Sequence, residues 1–467
     1  MGKIRFGTDG WRGEIAGEFT VKNLRLVVQG IMTCLGKGTP GKVVIGHDTR
    51  FMSGYYARAA TEVVAGNGFK AVVCNSPATT PMVSHVVKAE GASGGIVITA
   101  SHNPYYFNGV KFKAPYGGSA SPETTSEIES CIGISDPVTL PYVAAKARGM
   151  VYEADFFGTY LDSLRRLLDL ETLRDCGLRA VVDCMHGSAG SHAERLFDGL
   201  GLEAKFIRTA PDPYFGGSAP EPGENNLKAL AESVSETGSD LGMATDGDAD
   251  RLGVLDEDGV FVAPHYIQSL LAIHLKKNRG LTGKVVKTVS SSSLVDRVAY
   301  GLGLEVCETP VGFKHICGLM LTDDVLIGGE ENGGLGIKGH IPERDGLMTG
   351  LLIMEMMACE GKLLGELVRD MDKKYGKLYH KRHDARLKSG TGAALMCAVK
   401  DGVRSVYGDL GIESVVTLDG VKVVLGDGSW VLFRASGTEP LIRIYSESED
   451  GGRALNLIDR GKEAFLG

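Results

Sequence analysis

The sequence predicts an α/β chain of three similar α/β domains, followed by a smaller C-terminal α+β domain with an antiparallel sheet. Three observations lead there. The order of strand, glycine-led strand and tip strand occurs three times, with helical stretches between the strands. Each tip strand breaks into a polar loop of different chemistry. The last stretch instead places Asp419-Gly420 and Gly426-Asp427-Gly428 between short β runs, the pattern of hairpin turns.

The first unit, residues 1–148, opens its strand series at Lys42-Val43-Val44-Ile45-Gly46 and continues through Gly68-Phe69-Lys70-Ala71-Val72-Val73. Its tip strand, Ile96 to Ser101, stops because Pro104 forbids further regular pairing. The second unit, 149–257, uses Arg179 to Asp183, Gly201 to Ile207, and Leu241 to Thr245; its tip is Asp246-Gly247-Asp248-Ala249-Asp250-Arg251. The third, 258–370, uses Lys284 to Thr288, Gly303 to Cys307, and Val325 to Gly328; its tip is Gly329-Glu330-Glu331-Asn332-Gly333-Gly334. The fourth, 371–467, runs through Ser414 to Leu418, Val421 to Leu425, and Trp430 to Phe433 into Arg434-Ala435-Ser436-Gly437-Thr438-Glu439-Pro440, with a closing helix from about Arg453. Short Val/Ile strands alternating with helices make parallel units, and such sheets collect ligands at the carboxyl ends of their strands.

A chain of 467 residues is too long for one core. The formal charge of −8 argues against a nucleic-acid or anionic-membrane partner and leaves an anionic small molecule to be drawn by local Arg and Lys. Nine cysteines without a C-x-x-C pair read as reduced thiols of a cytoplasmic protein, not a disulfide frame or zinc site. Residues 1–13, with Lys3, Arg5, Asp9 and Arg12, do not read as a signal peptide, and Glu355 interrupts the apolar run Leu351 to Met354 far short of a membrane span.

The tips carry the chemistry. Asp246, Asp248 and Asp250 stand at i, i+2, i+4, and three carboxylates so close call for a hard cation such as Mg²⁺. An EF-hand is the rival, since Glu257 falls at position 12. It requires Gly where Arg251 stands, and a helix where a strand precedes the loop. Ser101, with His102 beside it, is a catalytic candidate, but Thr99 and Asn103 replace the glycines of a hydrolase elbow. Gly36 to Val43 falls one residue short of a P-loop, and Gly334-Leu335-Gly336-Ile337-Lys338-Gly339 lacks the βαβ unit of a dinucleotide site. Arg434, Ser436, Gly437, Thr438 and Arg443 make a phosphate cradle of hydroxyls, backbone N–H groups and guanidinium forks. Glu330 and Asn332 can bind sugar hydroxyls. A serine, a metal loop and a phosphate cradle together point to phosphoryl transfer through a phosphoserine.

With these residues assembled, the chain resembles the α-D-phosphohexomutase family of phosphoglucomutases, phosphomannomutases and phosphoglucosamine mutases. Five segments fall in family order: Gly7 to Gly13, Thr99 to Pro104, Asp246 to Arg251, Gly329 to Gly333, and Arg434 to Pro440. The resemblance implies four domains around one central cleft, the first three with mixed sheets. It implies that Ser101 is phosphorylated and ligates Mg²⁺ with the three aspartates, while Arg251 and Arg12 neutralise the moving phosphoryl group. Lys111 matches a family acid/base lysine, and a lowered basicity is expected of it if it must also accept a proton. Thr309 to Lys314, with Gly312 and Lys314, matches the loop that senses sugar orientation. The expected reaction interconverts hexose 1- and 6-phosphates through a hexose 1,6-bisphosphate, which also serves as activator. Glucose is the expected sugar, with mannose or dual specificity next and glucosamine last. Two departures stand out. Asn332 replaces a usual Ser, and Gly334 stands where bacterial bifunctional and glucosamine enzymes commonly carry His. His340, expected at the substrate, Lys338 or Arg344 would have to supply any second acid/base group.

Overall fold

Three sheets repeat one strand order, and the repeat explains why three loops meet. The molecule is described here by a computed structural model covering residues 4–5, 10–36, 40–387, 392–436 and 441–466. The first sheet contains β1 (Trp11–Glu14), β2 (Lys42–His47), β3 (Lys70–Cys74), β4 (Gly94–Ile98), β5 (Phe107–Lys113) and β6 (Val151–Ala154), ordered β1-β5-β4-β2-β3-β6. The second contains β7 (Ala180–Asp183), β8 (Ala204–Ile207), β9 (Leu241–Thr245), β10 (Leu252–Leu255) and β11 (Phe261–Val262), ordered β11-β10-β9-β7-β8. The third contains β12 (Lys284–Thr288), β13 (Val306–Thr309), β14 (Val325–Gly329) and β15 (Leu335–Ile337), ordered β13-β12-β14-β15.

In each sheet a central strand, β2, β7 or β12, pairs in parallel with the glycine-led strand on one side and the tip strand on the other. The tip strand then turns back antiparallel, β4 with β5, β9 with β10, and β14 with β15. The sheets are therefore mixed, and each functional loop is the turn between a buried parallel strand and its antiparallel return. The tip strands β4, β9 and β14 are buried at every residue, as strands covered on both faces by helices must be.

The fourth sheet is wholly antiparallel, in the order β16 (Tyr379–Arg386), β20 (Leu441–Ser448), β19 (Trp430–Ala435), β18 (Val421–Leu425), β17 (Ile412–Val416). Helices Gly392–Tyr407 and Gly451–Phe465 cover it. One of its strands escapes the sequence pattern. β16, Tyr-His-Lys-Arg-His-Asp-Ala-Arg, is a charged edge strand with no fully buried residue, so it lacks the apolar alternation that marks a strand.

Two boundaries differ from expectation. β6 pairs with β3, so the first sheet runs past residue 148. The expected break at 370 falls inside the helix Leu364–Tyr375, whose Leu364, Leu367 and Met371 enter the same core as β12 and β14. That core is continuous across the first three units. It joins Val44 and Val83 of the first, Phe157 and Met243 of the second, and Ile327 and Leu351 of the third. The C-terminal unit keeps its own core around Val423, Phe433 and Ile444.

The helix Gly346–Glu360 is buried on every face, which accounts for its apolar run; among the described residues no helix is long and apolar enough to cross a membrane. Its one buried acid, Glu355, accepts from Asp169 N at 2.9 Å, His274 Nε2 at 3.0 Å and Arg279 Nε at 2.6 Å. Burial alone would raise this carboxyl, but these donors outweigh it and lower the pKa from 4.5 to about 2. Glu355→Gln should therefore cost about 3–5 kcal/mol of stability at neutral pH, because Arg279 loses its buried partner. The depressed folded-state pKa sets the window. The penalty is full above pH 4.5 and shrinks as the pH falls toward about 2, as paired denaturation curves of parent and variant will show.

Candidate active site

Ser101 is the third residue after β4, with φ 53°, a left-handed conformation that costs a non-glycine residue on the order of 1 kcal/mol. Arg50 holds it there. From the carboxyl end of β2 its guanidinium donates to Ser101 O and Asn103 O at 2.6 Å, Pro104 O at 2.8 Å and Phe107 O at 3.1 Å. Asp48 backs Arg50 from behind, with Nε and Oδ2 at 3.1 Å. Neither residue was singled out from the sequence. The signal was there, since Asp48-Thr49-Arg50 is a polar triplet at the end of a buried parallel strand.

The Ser101 hydroxyl donates to Asp246 Oδ2 at 2.7 Å. The two tips touch because residue 247 is Gly, where an added Cβ would lie 2.5 Å from Ser101 O. Asp246 Oδ1 accepts from the N–H groups of Asp250 at 2.9 Å and Arg251 at 3.1 Å, which curls the loop so that all three carboxylates face inward. Lys111, reaching from β5, donates to Asp248 Oδ2 and Asp250 Oδ2, both at 2.7 Å. Thr80, at the start of helix Thr80–Ala89, adds its hydroxyl to Asp248 Oδ2. Arg344 from the third unit donates to Asp250 Oδ2 at 2.5 Å and Glu330 Oε2 at 3.0 Å.

One ligand oxygen from each aspartate lies within 4.8 Å of the others. Asp248 Oδ1 and Asp250 Oδ1 are buried and accept no hydrogen bond. Two orphaned oxygens of this kind are costly unless a cation takes them, so the donor set fits a metal ion with hard-oxygen preference. Burial and the carboxylates of Asp250 and Asp248 push Asp246 well above the usual carboxylate range. The same burial acts on Asp248 and Asp250, but Lys111 for the former, and Arg344 with Lys111 for the latter, hold them low.

The other expected residues divide clearly. Arg12, on β1, donates to Asn103 Oδ1 at 2.5 Å and so borders the Ser101 loop. Arg251 is buried, with its Nε 3.9 Å from Asp250 Oδ1 and without a hydrogen-bond acceptor at that atom. His102 Nδ1 lies 3.5 Å from Ser101 Oγ; burial, then Arg251, Arg12 and Lys111, push its pKa well below 6.5. Lys111 is buried and paired with both Asp248 and Asp250 at 2.7 Å.

Glu330 is buried at the third tip, where burial, with Glu331 nearby, raises its carboxyl against the pull of Arg344. Asn332 Oδ1 accepts from Gly334 N at 3.0 Å and shapes the turn. Gly312, with φ 126°, opens the helix Phe313–Thr322 and so brings Lys314 into its first turn. Arg434 donates to Asp419 Oδ2 at 2.7 Å, and that oxygen also accepts from Val311 N at 3.0 Å, which ties the end of β19 to the loop before helix Phe313–Thr322. Arg443 lies directly across from Arg434 on β20, with Ser436 N donating to Leu441 O at 2.8 Å at the sheet's end. Two arginines facing each other across a ladder repel, and an anion between them relieves it. Gly437 and Thr438 lie outside the described residues, as do Gly7, Thr8 and Asp9.

His340 lies in the seam between the first and third units. Its side chain is 1% exposed, with Nε2 3.2 Å from Asp345 Oδ2 and its ring 4.7 Å from that of His85. Lys338 donates to Thr282 O at 2.8 Å, with Asp324 as its ion-pair partner, away from the loops. Arg344 does reach the site. Its path explains Gly334, since an added Cβ there would lie 2.3 Å from Arg344 Cδ.

A serine hydroxyl against three inward carboxylates, laced by cations from three units and followed by an arginine-rich turn, is the constellation of a phosphoryl-transfer enzyme. Family models of phosphoglucomutase/phosphomannomutase α/β/α domain I match residues 3–136, domain II 158–259, domain III 263–375, and the C-terminal domain 385–463. A phosphoglucomutase/phosphomannomutase of Thermococcus kodakarensis is 34% identical over 99% of this chain and 98% of its own. A phosphoglucosamine/phosphogalactosamine mutase of Sulfurisphaera tokodaii is 32% identical over the whole of both chains. A solved Thermus thermophilus structure, of a phosphomannomutase candidate, superposes with TM-score 0.86 at 35% identity, covering 100% of this chain and 99% of that one. The chain belongs to the phosphoglucomutase/phosphomannomutase family, and is an intramolecular phosphotransferase of sugar phosphates.

Arg50→Lys tests the support of the Ser101 loop. A lysine keeps the charge but cannot reach four carbonyls at once. Turnover should fall by ~10²-fold, the scale of an ångström misplacement at a reacting centre, with KM little changed. Steady-state kinetics beside a thermal melt will separate this from unfolding.

Proposed function

We propose that this enzyme interconverts hexose 1-phosphate and hexose 6-phosphate through a phosphoserine at Ser101 and a bound hexose 1,6-bisphosphate. One observation carries the reading: the Ser101 hydroxyl faces Asp246 at 2.7 Å, while Asp248 and Asp250 each keep one buried oxygen unpaired. Mg²⁺ held by Asp246, Asp248, Asp250 and the Ser101 oxygen would supply the positive charge that offsets repulsion between an anionic phosphoserine and an anionic sugar phosphate.

The residues then divide the work. Transfer breaks the bond between phosphorus and Ser101 Oγ and forms one to a free sugar hydroxyl. Arg251 and Arg12 flank the Ser101 loop and neutralise charge on the equatorial oxygens. His102, its Nδ1 3.5 Å from Ser101 Oγ, exchanges the proton at the serine oxygen, and Lys111 serves the sugar oxygen. Glu330, oriented by Arg344, accepts from the sugar hydroxyls, and Asn332, Gly312 and Lys314 border the same ring. Arg434, Ser436 and Arg443, with Gly437 and Thr438, grip the phosphate that is not reacting. The bisphosphate turns end for end, the cradle takes the other phosphate, and Ser101 recovers a phosphoryl group.

Glucose phosphate is the sugar this reading favours, because Arg344 occupies the space that a histidine at 334 would need. Amino-sugar phosphates form the second reading, supported by the full-length similarity to relatives named for glucosamine.

Ser101→Ala should lower mutase activity by ~10³-fold or more, since the covalent carrier is gone, while the fold persists. Intact-mass measurement of the parent should show a phosphate that phosphatase removes and that the variant lacks. An unphosphorylated variant with near-normal turnover would overturn the mechanism. For the sugar, kcat/KM on glucose 1-phosphate should equal or exceed that on mannose 1-phosphate and glucosamine 1-phosphate. A ~tenfold preference for either rival, about 1.4 kcal/mol in transition-state binding, would move the specificity and leave the mechanism standing.

A further inference from the structure

Far along the first unit from the loops, two helices end on a pair of thiols. Cys34 lies in the last turn of helix Val21–Leu35, and Cys131 is the last residue of helix Pro122–Cys131. Their sulfurs are 3.3 Å apart, although 97 residues separate them in the chain. A second observation shows how close the backbones come. Gly30, one turn before Cys34 on the same face, abuts Ile132, the neighbour of Cys131: an added Cβ at Gly30 would lie 2.8 Å from Ile132 Cγ1 and 3.2 Å from Ile132 Cα. Glycine is thus what lets the two segments approach to the separation at which cysteines can be bridged with little backbone movement.

The two thiols differ in access. Cys34 is part exposed, whereas Cys131 is buried. Cys34 and Ile132 pack against the unit's own core with Val28 and Ile31, not among the loops that carry the chemistry.

We propose that Cys34 and Cys131 are a reversible redox couple that locks the first unit when oxidised by a low-molecular-weight disulfide. In the first step the accessible Cys34 thiolate attacks one sulfur of the small disulfide. That S–S bond breaks, a mixed disulfide forms on Cys34, and one small thiol leaves with the proton. In the second, the Cys131 thiolate attacks the Cys34 sulfur and expels the other small thiol. Two protein thiols are oxidised and one small disulfide is reduced to two thiols, with no other reactant. The bridge closes a long loop that includes β2 to β5 and the Ser101 turn, so it restricts the unfolded chain and stabilises the folded one.

The test uses the full-length enzyme and oxidised glutathione as the probe, with alkylation before digestion. Cys359 and Cys397 are exposed in other units and will report ordinary adduct formation. The expected result is a Cys34–Cys131 linked peptide, a loss of about 2 Da attributable to that pair, and a melting midpoint raised by several degrees that returns with dithiothreitol. Neither Cys34→Ser nor Cys131→Ser should show the rise. A stable glutathione adduct on Cys34 with Cys131 still open to alkylation would overturn the couple, as would both thiols remaining unmodified while Cys359 and Cys397 react. A linked peptide with an unchanged midpoint would overturn the lock.

Discussion

Three carboxylates whose ligand oxygens fall within 4.8 Å of one another, all buried, set the terms for everything around them. At ~4 Å and an effective dielectric near 20, each like-charged pair repels by about 4 kcal/mol. The cations that answer come from different parts of the chain: Lys111 from the first unit, Arg344 from the third, and Arg251 from the loop itself. The answer is incomplete, as the raised Asp246 and the unpaired oxygens of Asp248 and Asp250 show. Residual negative charge inside a ring of fixed cations suits a further cation at the three aspartates. The arrangement exists only when three units are in register.

The units are joined in two physically different ways. The first three share a continuous apolar core, so the positions of their tips are fixed by burial. The C-terminal unit keeps its own core and meets the third through a small apolar cluster, Val289 with Trp430, Leu432 and Tyr445, together with polar contacts. Tyr445 OH donates to Glu331 at 3.1 Å, Lys422 Nζ to Val289 O at 3.0 Å, and Trp430 Nε1 to Ser293 Oγ at 3.1 Å. Each such bond contributes about 1 kcal/mol net, since water can replace either partner. The shared core thus fixes Ser101 and the three aspartates relative to one another, and the smaller junction carries Arg434 and Arg443.

Much of the fold was legible because its decisive strands are buried on both faces. β2, β4, β9 and β14 are mostly Val, Ile, Leu, Met, Gly and Ala, and a two-sided apolar strand declares itself without its neighbours. β16 did not declare itself, because an edge strand can be mostly charged when its partner β20 supplies the burial. The Asp246 loop was legible for another reason: its spacing brings the carboxylates together through local backbone geometry alone. Arg50 and Arg344 were not legible as a loop support and a bridge: the polar triplet Asp48-Thr49-Arg50 marks a strand end, but the carbonyls Arg50 grips lie at least 51 residues away in the chain, and Asp250 lies 94 residues from Arg344.

What the sequence by itself determined is the chemistry at each strand end: a hydroxyl at Ser101, acids at Asp246 to Asp250, an acid at Glu330, and guanidinium groups at Arg434 and Arg443. These follow from local breaks in β pattern and from side-chain type. Only the tertiary structure decided which cation faces which acid, that His340 lies against Asp345 while Arg344 takes the place beside Glu330, and that Gly334 makes room for it. The physical reason is range. A hydrogen bond of 2.7 Å between Lys111 and Asp248 spans 137 residues of chain, and its geometry is set by how two sheets pack, a quantity no local stretch of sequence contains.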